Sequence, residues 1–263
     1  MAGDQYVSLE QIVAAPVAAI VQHWQDFGDG AEPKDATVEL ERQEPLLGLL
    51  DSWLGAAGVK PFRDALAAGN RNALSAFVAI DRYIGEACNQ MLQRAKNHKD
   101  NRDWGELTYD AGLAGRLAQA RSDRARLAVA CFLVANARRG LGDLSGTVQA
   151  YERAIGSAQG LPAEYPMLAA AHDNLGNVLT ELGRFDEALE HYEKSLQKYE
   201  RNPPAIDIIL ANEAHCQLML GEYKKAGRTL NSQLKRLERR HVTGTRLAVA
   251  TDMAAQGLSG VGE

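Results

Sequence analysis

Residues 172–199 read HDNLGNVLTELGRFDEALEHYEKSLQKY and contain two apolar patterns of helical spacing, one on each side of a glycine. In the first half, apolar residues recur every three or four positions: Leu175, Val178, Leu179 and Leu182. Gly183 ends this pattern, because glycine adopts the left-handed conformation of a helix end without steric cost. A second pattern follows over residues 185–199. Since neither helix can bury its apolar stripe alone, the stretch predicts a helical hairpin.

The turn of this hairpin has two counterparts elsewhere in the chain. Leu182-Gly183 is matched by Leu141-Gly142, 41 residues earlier, and by Leu220-Gly221, 38 residues later. Self-similarity at this period is typical of solenoids, in which each hairpin buries its apolar face against the next one. Three hairpins are therefore predicted within residues 121–241, at 124–160, 166–201 and 205–240.

The middle hairpin resembles the tetratricopeptide repeat, whose pattern is W-x2-L-G-x2-Y…A-x3-F. Leu175-Gly176 carries the match, together with Ala188 twelve residues after the glycine and Tyr192 four residues later. His172 and Leu179 depart from the pattern, since the family has aromatic residues there. The long period and the Asn-Leu-Gly-Asn core resemble the repeats of kinesin light chains and of mitotic-spindle adaptors. The resemblance implies an all-α fold, a right-handed α-α superhelix, with an additional N-terminal helical region.

Residues 1–120 show no repeat register and are predicted to form this N-terminal helical region. Apolar spacing predicts helices at 8–15, 16–27, 46–54, 61–68, 72–97 and 104–120. The polar stretch 31–44 lacks a sustained apolar period and is predicted to be a loop. At the other end, residues 242–263 are expected to form a capping helix at 246–256 and a loose tail, because a solenoid needs a terminal helix with one polar face.

The composition argues against several classes of protein. The three cysteines, Cys88, Cys131 and Cys216, have no short spacing, which argues against a disulfide framework and against a zinc knuckle. The net charge of −5, without a domain-wide basic excess, makes nucleic acid an unexpected partner. The apolar run at 12–21 is too short to span a bilayer and lacks the positive flank of a signal peptide. We therefore expect a cytoplasmic protein without a membrane segment.

No pattern in the sequence predicts catalysis, a cofactor or a bound metal. Residues 140–146 (GLGDLSG) are rich in glycine but follow a helix, whereas a phosphate-binding loop follows a strand and opens a helix. The six histidines never fall at i, i+4 with a carboxylate partner, as a helical metal site requires. No signature of an activated nucleophile stands out either. A catalytic site assembled in space by the N-terminal helices stays open as a lesser alternative.

In tetratricopeptide solenoids the first helix of each hairpin lines the concave side, where a peptide binds. The resemblance implies contact residues in all three repeats. They are Phe132, Leu133 and Asn136 in the first, Asp173, Asn174, Asn177 and Glu181 in the second, and Ala211, Asn212, His215 and Met219 in the third. Four of them are asparagines, whose carboxamide both donates and accepts hydrogen bonds and so suits a peptide backbone. The alternative interpretation is that these asparagines are ordinary exposed polar residues of a helix face.

The same positions indicate what kind of partner to expect. Chaperone-binding members of the family hold an acidic C-terminal tail with asparagines and basic residues. Here Phe132, Ile208 and Asn212 occupy the basic positions, so a bound carboxylate would lack its counter-charge and no such tail is expected. Phe132, Leu133 and Met219 instead indicate a partner with apolar anchors. The basic cluster at 224–240 is interpreted as a solvated helix face rather than an anionic docking surface.

These observations favour a non-enzymatic adaptor whose repeats bind a peptide or a partner domain in their groove. The main alternative is a regulatory module, in which the groove senses a peptide and signals through the N-terminal helices. A helical N-terminal enzyme that uses the repeats as a docking domain is the lesser alternative.

Overall fold

The computed structural model describes residues 13–22, 36–161, 166–199 and 203–239. Over these ranges every regular element is helical and no strand occurs. The α-helices are α1 (Ala15–Gln22), α2 (Ala36–Leu54), α3 (Ala56–Ala67), α4 (Arg71–Asn101), α5 (Trp104–Ala120), α6 (Arg124–Gly140), α7 (Leu144–Ala158), α8 (Pro166–Glu181), α9 (Phe185–Lys198), α10 (Pro203–Met219) and α11 (Tyr223–Arg239). Of the helices in the described ranges, none combines the length and the apolar character that a membrane crossing requires.

The chain divides into two compact units, Met1–Ala137 and Arg138–Glu263, so the division falls inside α6. The core of unit 1 is built on α4 and α5, which pack along each other. Large side chains that are fully buried in it include Phe62, Phe77, Ile80, Ile84, Leu107, Leu113 and Leu117. The division lies beyond residue 120 because Ala130, Leu133 and Ala137 of α6 belong to the same core.

Unit 2 contains the helices of the second and third predicted hairpins. Helix α8 packs on α9 and α10 packs on α11, while α9 and α10 join the two hairpins. The middle hairpin buries Leu175, Val178, Leu179, Ala188 and Tyr192. Each of these is an apolar position that the sequence pattern selects, but Leu182 of the same pattern is exposed at the turn. The predicted all-α fold is confirmed.

The three repeat turns share one backbone geometry. Gly142, Gly183 and Gly221 have positive φ angles of 81°, 74° and 74°. In the middle turn the Arg184 N–H donates to the Leu179 carbonyl at 2.8 Å, and the Gly183 N–H donates to the Thr180 carbonyl at 3.0 Å. Equivalent pairs of hydrogen bonds close the other two turns. The carbonyl groups at the ends of α6, α8 and α10 are thereby satisfied.

The structure corrects one prediction and extends another in unit 1. Residues 36–44 are helical and begin α2, whereas the sequence analysis predicts a loop at 31–44. The segment is rich in Glu, Leu, Arg and Gln, which favour a helix even without an apolar period. Helix α4 extends past the predicted 72–97 at both ends, and its N-cap Asn70 accepts a hydrogen bond from the Ala73 N–H at 3.1 Å.

Several predictions concern residues that the structure does not describe. They are most of the helix at 8–15, the second half of the helix at 16–27, the start of the predicted loop at 31–35, and the capping helix at 246–256.

Candidate functional site

Asn177 and Asn212, two of the predicted contact residues, meet where α8 contacts α10 in unit 2. The Asn177 Oδ1 atom accepts a hydrogen bond from Asn212 Nδ2 at 2.8 Å and another from the Tyr192 hydroxyl at 2.9 Å. Both side chains are half-buried. Because protein donors already use the Asn177 oxygen twice, this side chain ties α8 to α9 and α10.

Asp173 lies one helical turn before Asn177 on α8. Burial raises the pKa of its carboxyl group, while the positive charge of Arg139 and a hydrogen bond with Asn177 oppose that shift. Its Oδ1 atom is buried and has no hydrogen-bond partner among the residues that the structure describes. A buried acceptor without a donor costs free energy, so this oxygen favours an incoming N–H group.

Arg139, in the last turn of α6, interacts with two acidic residues of α8. Its guanidinium pairs with the Glu181 carboxylate, and its charge acts on Asp173. Asn174 forms a side-chain hydrogen bond with Tyr151 of α7. Glu181 and Asn174 therefore have partners inside unit 2, and Arg139 is already engaged with carboxylates of this chain.

The third repeat presents a row of side chains on one face of α10. Ile208 and Met219 are 54 % and 56 % exposed, and His215 between them is also exposed. Their spacing of seven and four residues places them on the same helix face, with Ala211 half-buried beside them. Large apolar side chains that share an exposed face offer a contact surface for apolar groups of a partner.

The predicted contact residues of the first repeat lie in unit 1. Phe132 and Asn136 are half-buried, and Asn136 Nδ2 donates to the Phe132 carbonyl at 3.1 Å. Leu133, in contrast, is buried in the core of unit 1 and is not a contact residue. The repeat position predicted Leu133 as a contact residue, but α6 is apolar around much of its surface. Repeat position alone therefore does not distinguish buried core residues from groove residues on this helix.

His172, which is buried, and His191, which is half-buried, form a side-chain pair that no sequence pattern predicts. Their Nδ1 atoms lie 2.9 Å apart and their ring centroids 5.2 Å apart. Burial lowers the pKa of His172 to about 4, helped by repulsion from His191, Lys194 and Lys198. Burial also lowers the pKa of His191. His172 stands where the repeat pattern has an aromatic residue. This departure from the pattern was the one sequence feature that could have drawn attention to the histidine pair.

Among the described residues, no group of three or more His, Cys, Asp or Glu side chains is placed to hold a metal ion. The cysteines are buried, and burial raises the pKa of the Cys88 thiol to about 11. Such a thiol is a poor nucleophile at neutral pH. The side chains that α8 and α10 bring together offer hydrogen bonds and apolar contact, which suit binding.

Comparisons with known proteins agree with the sequence pattern. The family model for the tetratricopeptide repeat matches residues 123–201 and 168–239. No curated protein gives a significant match to the chain.

Solved structures with the same fold share little sequence identity with this chain. A candidate kinesin light chain from Podosopora anserina, with nearly identical TPR-like repeats, is 15 % identical with a TM-score of 0.55, over 66 % of this chain and 86 % of that one. BtubC (BKLC) from P. vanneervenii is 13 % identical with a TM-score of 0.55, over 90 % and 94 % of the two chains. The apo form of RapI is 13 % identical with a TM-score of 0.56, over 93 % and 71 %. These likenesses show the fold, an all-α solenoid of helical repeats.

Proposed function

We propose that this chain, a tetratricopeptide-repeat protein whose repeats resemble those of kinesin light chains, is a non-enzymatic adaptor that binds a peptide or partner domain along α8 and α10. The surface involved is called the groove face and consists of Asp173 and Asn177 on α8 with Ile208, Asn212, His215 and Met219 on α10. The observation that supports the proposal best is the exposed apolar row of α10.

Two features of the groove face define the partner's chemistry. Ile208 and Met219 gain from burial under apolar anchors, and each contributes about 1 kcal/mol when roughly half of its side chain is covered. Binding that exposes Asp173 Oδ1 to an N–H of the partner would supply the donor that this buried oxygen lacks among the described residues. A partner segment with apolar residues at helical spacing and an N–H donor near one of them satisfies both features.

An acidic C-terminal tail fits this surface poorly. Arg139, which lies close to Asp173, is paired with Glu181. A partner carboxylate placed there meets two carboxylates of this chain and gains no free counter-charge, which is unfavourable in a partly buried site. The proposed partner is therefore neutral or basic where it meets α8.

A random peptide library displayed on phage, selected on the full-length chain, tests the proposal. The best peptide is labelled with fluorescein, and its dissociation constant is measured by fluorescence anisotropy. We expect selected peptides to share apolar anchors. The variant Ile208→Ser/Met219→Ser should bind the peptide at least about tenfold more weakly, because two anchor contacts of about 1 kcal/mol each are lost.

A matched control separates the groove face from exposed apolar surface in general. Leu141 and Leu182 are exposed leucines at repeat turns, outside the groove face. The control Leu141→Ser/Leu182→Ser should bind the peptide as the unaltered chain does. Equal losses in the two double variants, or none in either, would remove the groove face from the mechanism.

The asparagines predicted to hold a peptide backbone are tested in the same assay. Asn177→Ala with Asn212→Ala, both within the groove face, should weaken peptide binding at least about tenfold while leaving the helical circular-dichroism signal unchanged. The hydrogen bond from Tyr192 to Asn177 is also lost in this variant, so its thermal unfolding is measured alongside. Unchanged affinity would show that these side chains have only a structural role.

A further inference from the structure

Helix α9 of unit 2 carries acidic residues along the middle of its exposed face. Asp186, Glu190 and Glu193 are all exposed, and steps of four and three residues place them within about 60° of one another around the helix. We call these three residues the acidic stripe. Lys194 lies toward the edge of the same face and is the nearest cation to Glu190, at 3.7 Å.

Helix α11 carries the opposite charge on its exposed face. Lys224, Arg228, Lys235 and Arg239 are exposed and also fall within about 60° of one another. These four residues, here called the basic stripe, extend along about 22 Å of the helix. Glu238, toward the edge of that face, is the only acidic residue of α11.

The two stripes occupy equivalent repeat positions. An offset of 38 residues, which relates Gly183 to Gly221, also relates Asp186 to Lys224 and Glu190 to Arg228. The same side of successive second helices is thus negative in one repeat and positive in the next. An ordinary solvated surface mixes both signs on each face, whereas here the signs are separated by helix.

The basic stripe has no carboxylate partner in the described part of the chain, although Arg228 Nε donates to the Lys224 carbonyl at 3.3 Å. Other cations of α11 have carboxylate partners, since Lys225 pairs with Glu222 and Arg236 pairs with Asp207. Within the described ranges, none of the four basic-stripe residues forms an ion pair. A partner that brings carboxylates at the spacing of one helix face would complement the stripe.

We propose that this partner is a second copy of the chain, with the acidic stripe of each copy facing the basic stripe of the other. Helices α9, α10 and α11 follow one another through short connections, so α10 runs antiparallel to both neighbours and α9 and α11 run parallel. A twofold axis parallel to these helices and midway between α9 and α11 brings α9 of one copy opposite α11 of the other. That arrangement is closed and isologous.

The size of this surface sets the strength of the association. A helix of 17 residues is about 25 Å long, so the exposed faces of two helices of about 10 Å diameter offer about 500 Å² per copy. The total of about 1,000 Å² is at the low end for a specific interface. Exposed ion pairs each contribute little, so charge sets orientation more than affinity. The dimer is therefore weak, concentration-dependent and sensitive to salt.

Sedimentation velocity of the full-length chain over a range of concentrations tests this proposal, which is independent of the groove face. In about 0.1 M salt we expect a dimer to form as concentration rises, and in about 0.5 M salt, where the Debye length falls to about 4 Å, at least about fivefold weaker association. Lys224→Glu/Arg228→Glu makes both stripes acidic, and Asp186→Lys/Glu190→Lys makes both basic. Each variant alone should be monomeric.

An equimolar mixture of the two variants is the decisive measurement. It restores opposite charges at both contacts, so a heterodimer should form at least as readily as the original dimer. Lys96→Glu/Lys99→Glu on α4 alters the net charge equally at exposed positions and should leave the dimer unchanged. A monomeric unaltered chain, dimers that persist in both variants, or a mixture that stays monomeric would each overturn the proposal. So would a monomeric chain whose basic stripe binds duplex DNA instead.

Discussion

Gly176 of α8 lies directly against the ring of Tyr192 of α9. A Cβ atom added at Gly176 would lie 2.6 Å from Cε1 of that ring. Tyr192 is fully buried, and its hydroxyl group lies 2.9 Å from Asn177 Oδ1 and 3.1 Å from Thr180 Oγ1. The ring cannot move away without disturbing these hydrogen bonds, so the glycine is required by close packing.

Replacing Gly176 by alanine should therefore destabilise the protein although alanine favours helices. We expect the free energy of unfolding to fall by about 2 kcal/mol, as for other overpacked sites, measured by urea unfolding. Gly112→Ala in α5 is the matched control, since a Cβ there meets nothing within 4 Å. That change should stabilise the protein by about 0.5–1 kcal/mol. Destabilisation by both changes would point to a general intolerance of a side chain at these helix positions rather than to the tyrosine contact.

The pair of His172 and His191 makes stability depend on pH. An Nδ1 to Nδ1 hydrogen bond needs one neutral ring as acceptor, so a second proton on the pair breaks it. The pKa of His172 is about 4 in the folded protein, below the ordinary value near 6.5. Lys194 and Lys198 also disfavour the charged ring. The stabilising effect is thus complete above pH 6.5 and is lost as the pH falls toward 4.

Between about pH 4 and pH 6.5 the unfolded chain binds a proton at His172 that the folded protein does not bind. The free energy of unfolding should fall by about 1.4 kcal/mol per pH unit for this one imidazole. Chemical unfolding at a series of pH values measures the slope. His172→Phe, which restores an aromatic side chain at this repeat position, should unfold with a shallower pH dependence by about that amount. Parallel curves for the two proteins would contradict the assignment.

Sequence position predicted where Asn177 stands but not what it does. Its place in the repeat pattern puts it on the groove side of α8, and the structure shows it beside Asn212. The hydrogen bond from Tyr192 depends on how far a tyrosine of another helix reaches, which no spacing rule contains. For the same reason the sequence could not predict that His172 contacts His191, 19 residues away on α9.

At the scale of elements, the turn that marks the repeats also occurs in unit 1 without its glycine. Arg102, after α4, has a φ of 59°, and the Asp103 N–H donates to the His98 carbonyl at 2.9 Å. Ser122, after α5, has a φ of 53°. The turn geometry therefore extends beyond the repeat register: it occurs with a glycine at Gly69 after α3, whose φ is 71°, and without one at Arg102 and Ser122.

Arg102→Gly should stabilise the protein, because it relieves a left-handed conformation that costs a non-glycine residue about 1–2 kcal/mol. The greater freedom of glycine in the unfolded chain offsets part of this, which leaves about 0.5–1 kcal/mol. Gly183→Ala places a side chain in the same conformation and should cost about 1 kcal/mol. Thermal unfolding of both variants measures the two shifts. Shifts of the same sign would contradict this account of the turns.

Helices were predictable where an apolar stripe coincides with a capping or turn signal. α5 was predicted at the bounds that the structure shows, and Asp103 caps it by accepting from the Glu106 N–H. The start of α2 was missed because residues 36–44 carry helix propensity without an apolar period. Pro45 lies inside that helix.

For the whole molecule, the repeat register in the sequence does not predict where the chain divides into its two compact units. The register treats α6 as the first helix of a repeat, whereas its residues up to Ala137 belong to the compact unit that contains α4 and α5. Burial of Leu133 depends on contacts between helices far apart in sequence, which periodicity within one helix does not encode. The fold class was therefore predictable, while the set of accessible groove residues was predictable only in part.

An adaptor and a regulatory module differ in how far the effect of a bound peptide reaches, and amide hydrogen exchange of the full-length chain separates them. With the phage-selected peptide bound, we expect slower exchange in α8 and α10 and unchanged exchange in α4 and α5, because the groove face lies on α8 and α10. Ile208→Ser/Met219→Ser, mixed with the same peptide, should show neither change. Slowed or accelerated exchange across α2–α5 would favour the regulatory module, since it requires peptide binding to shift a conformational equilibrium in the N-terminal helices.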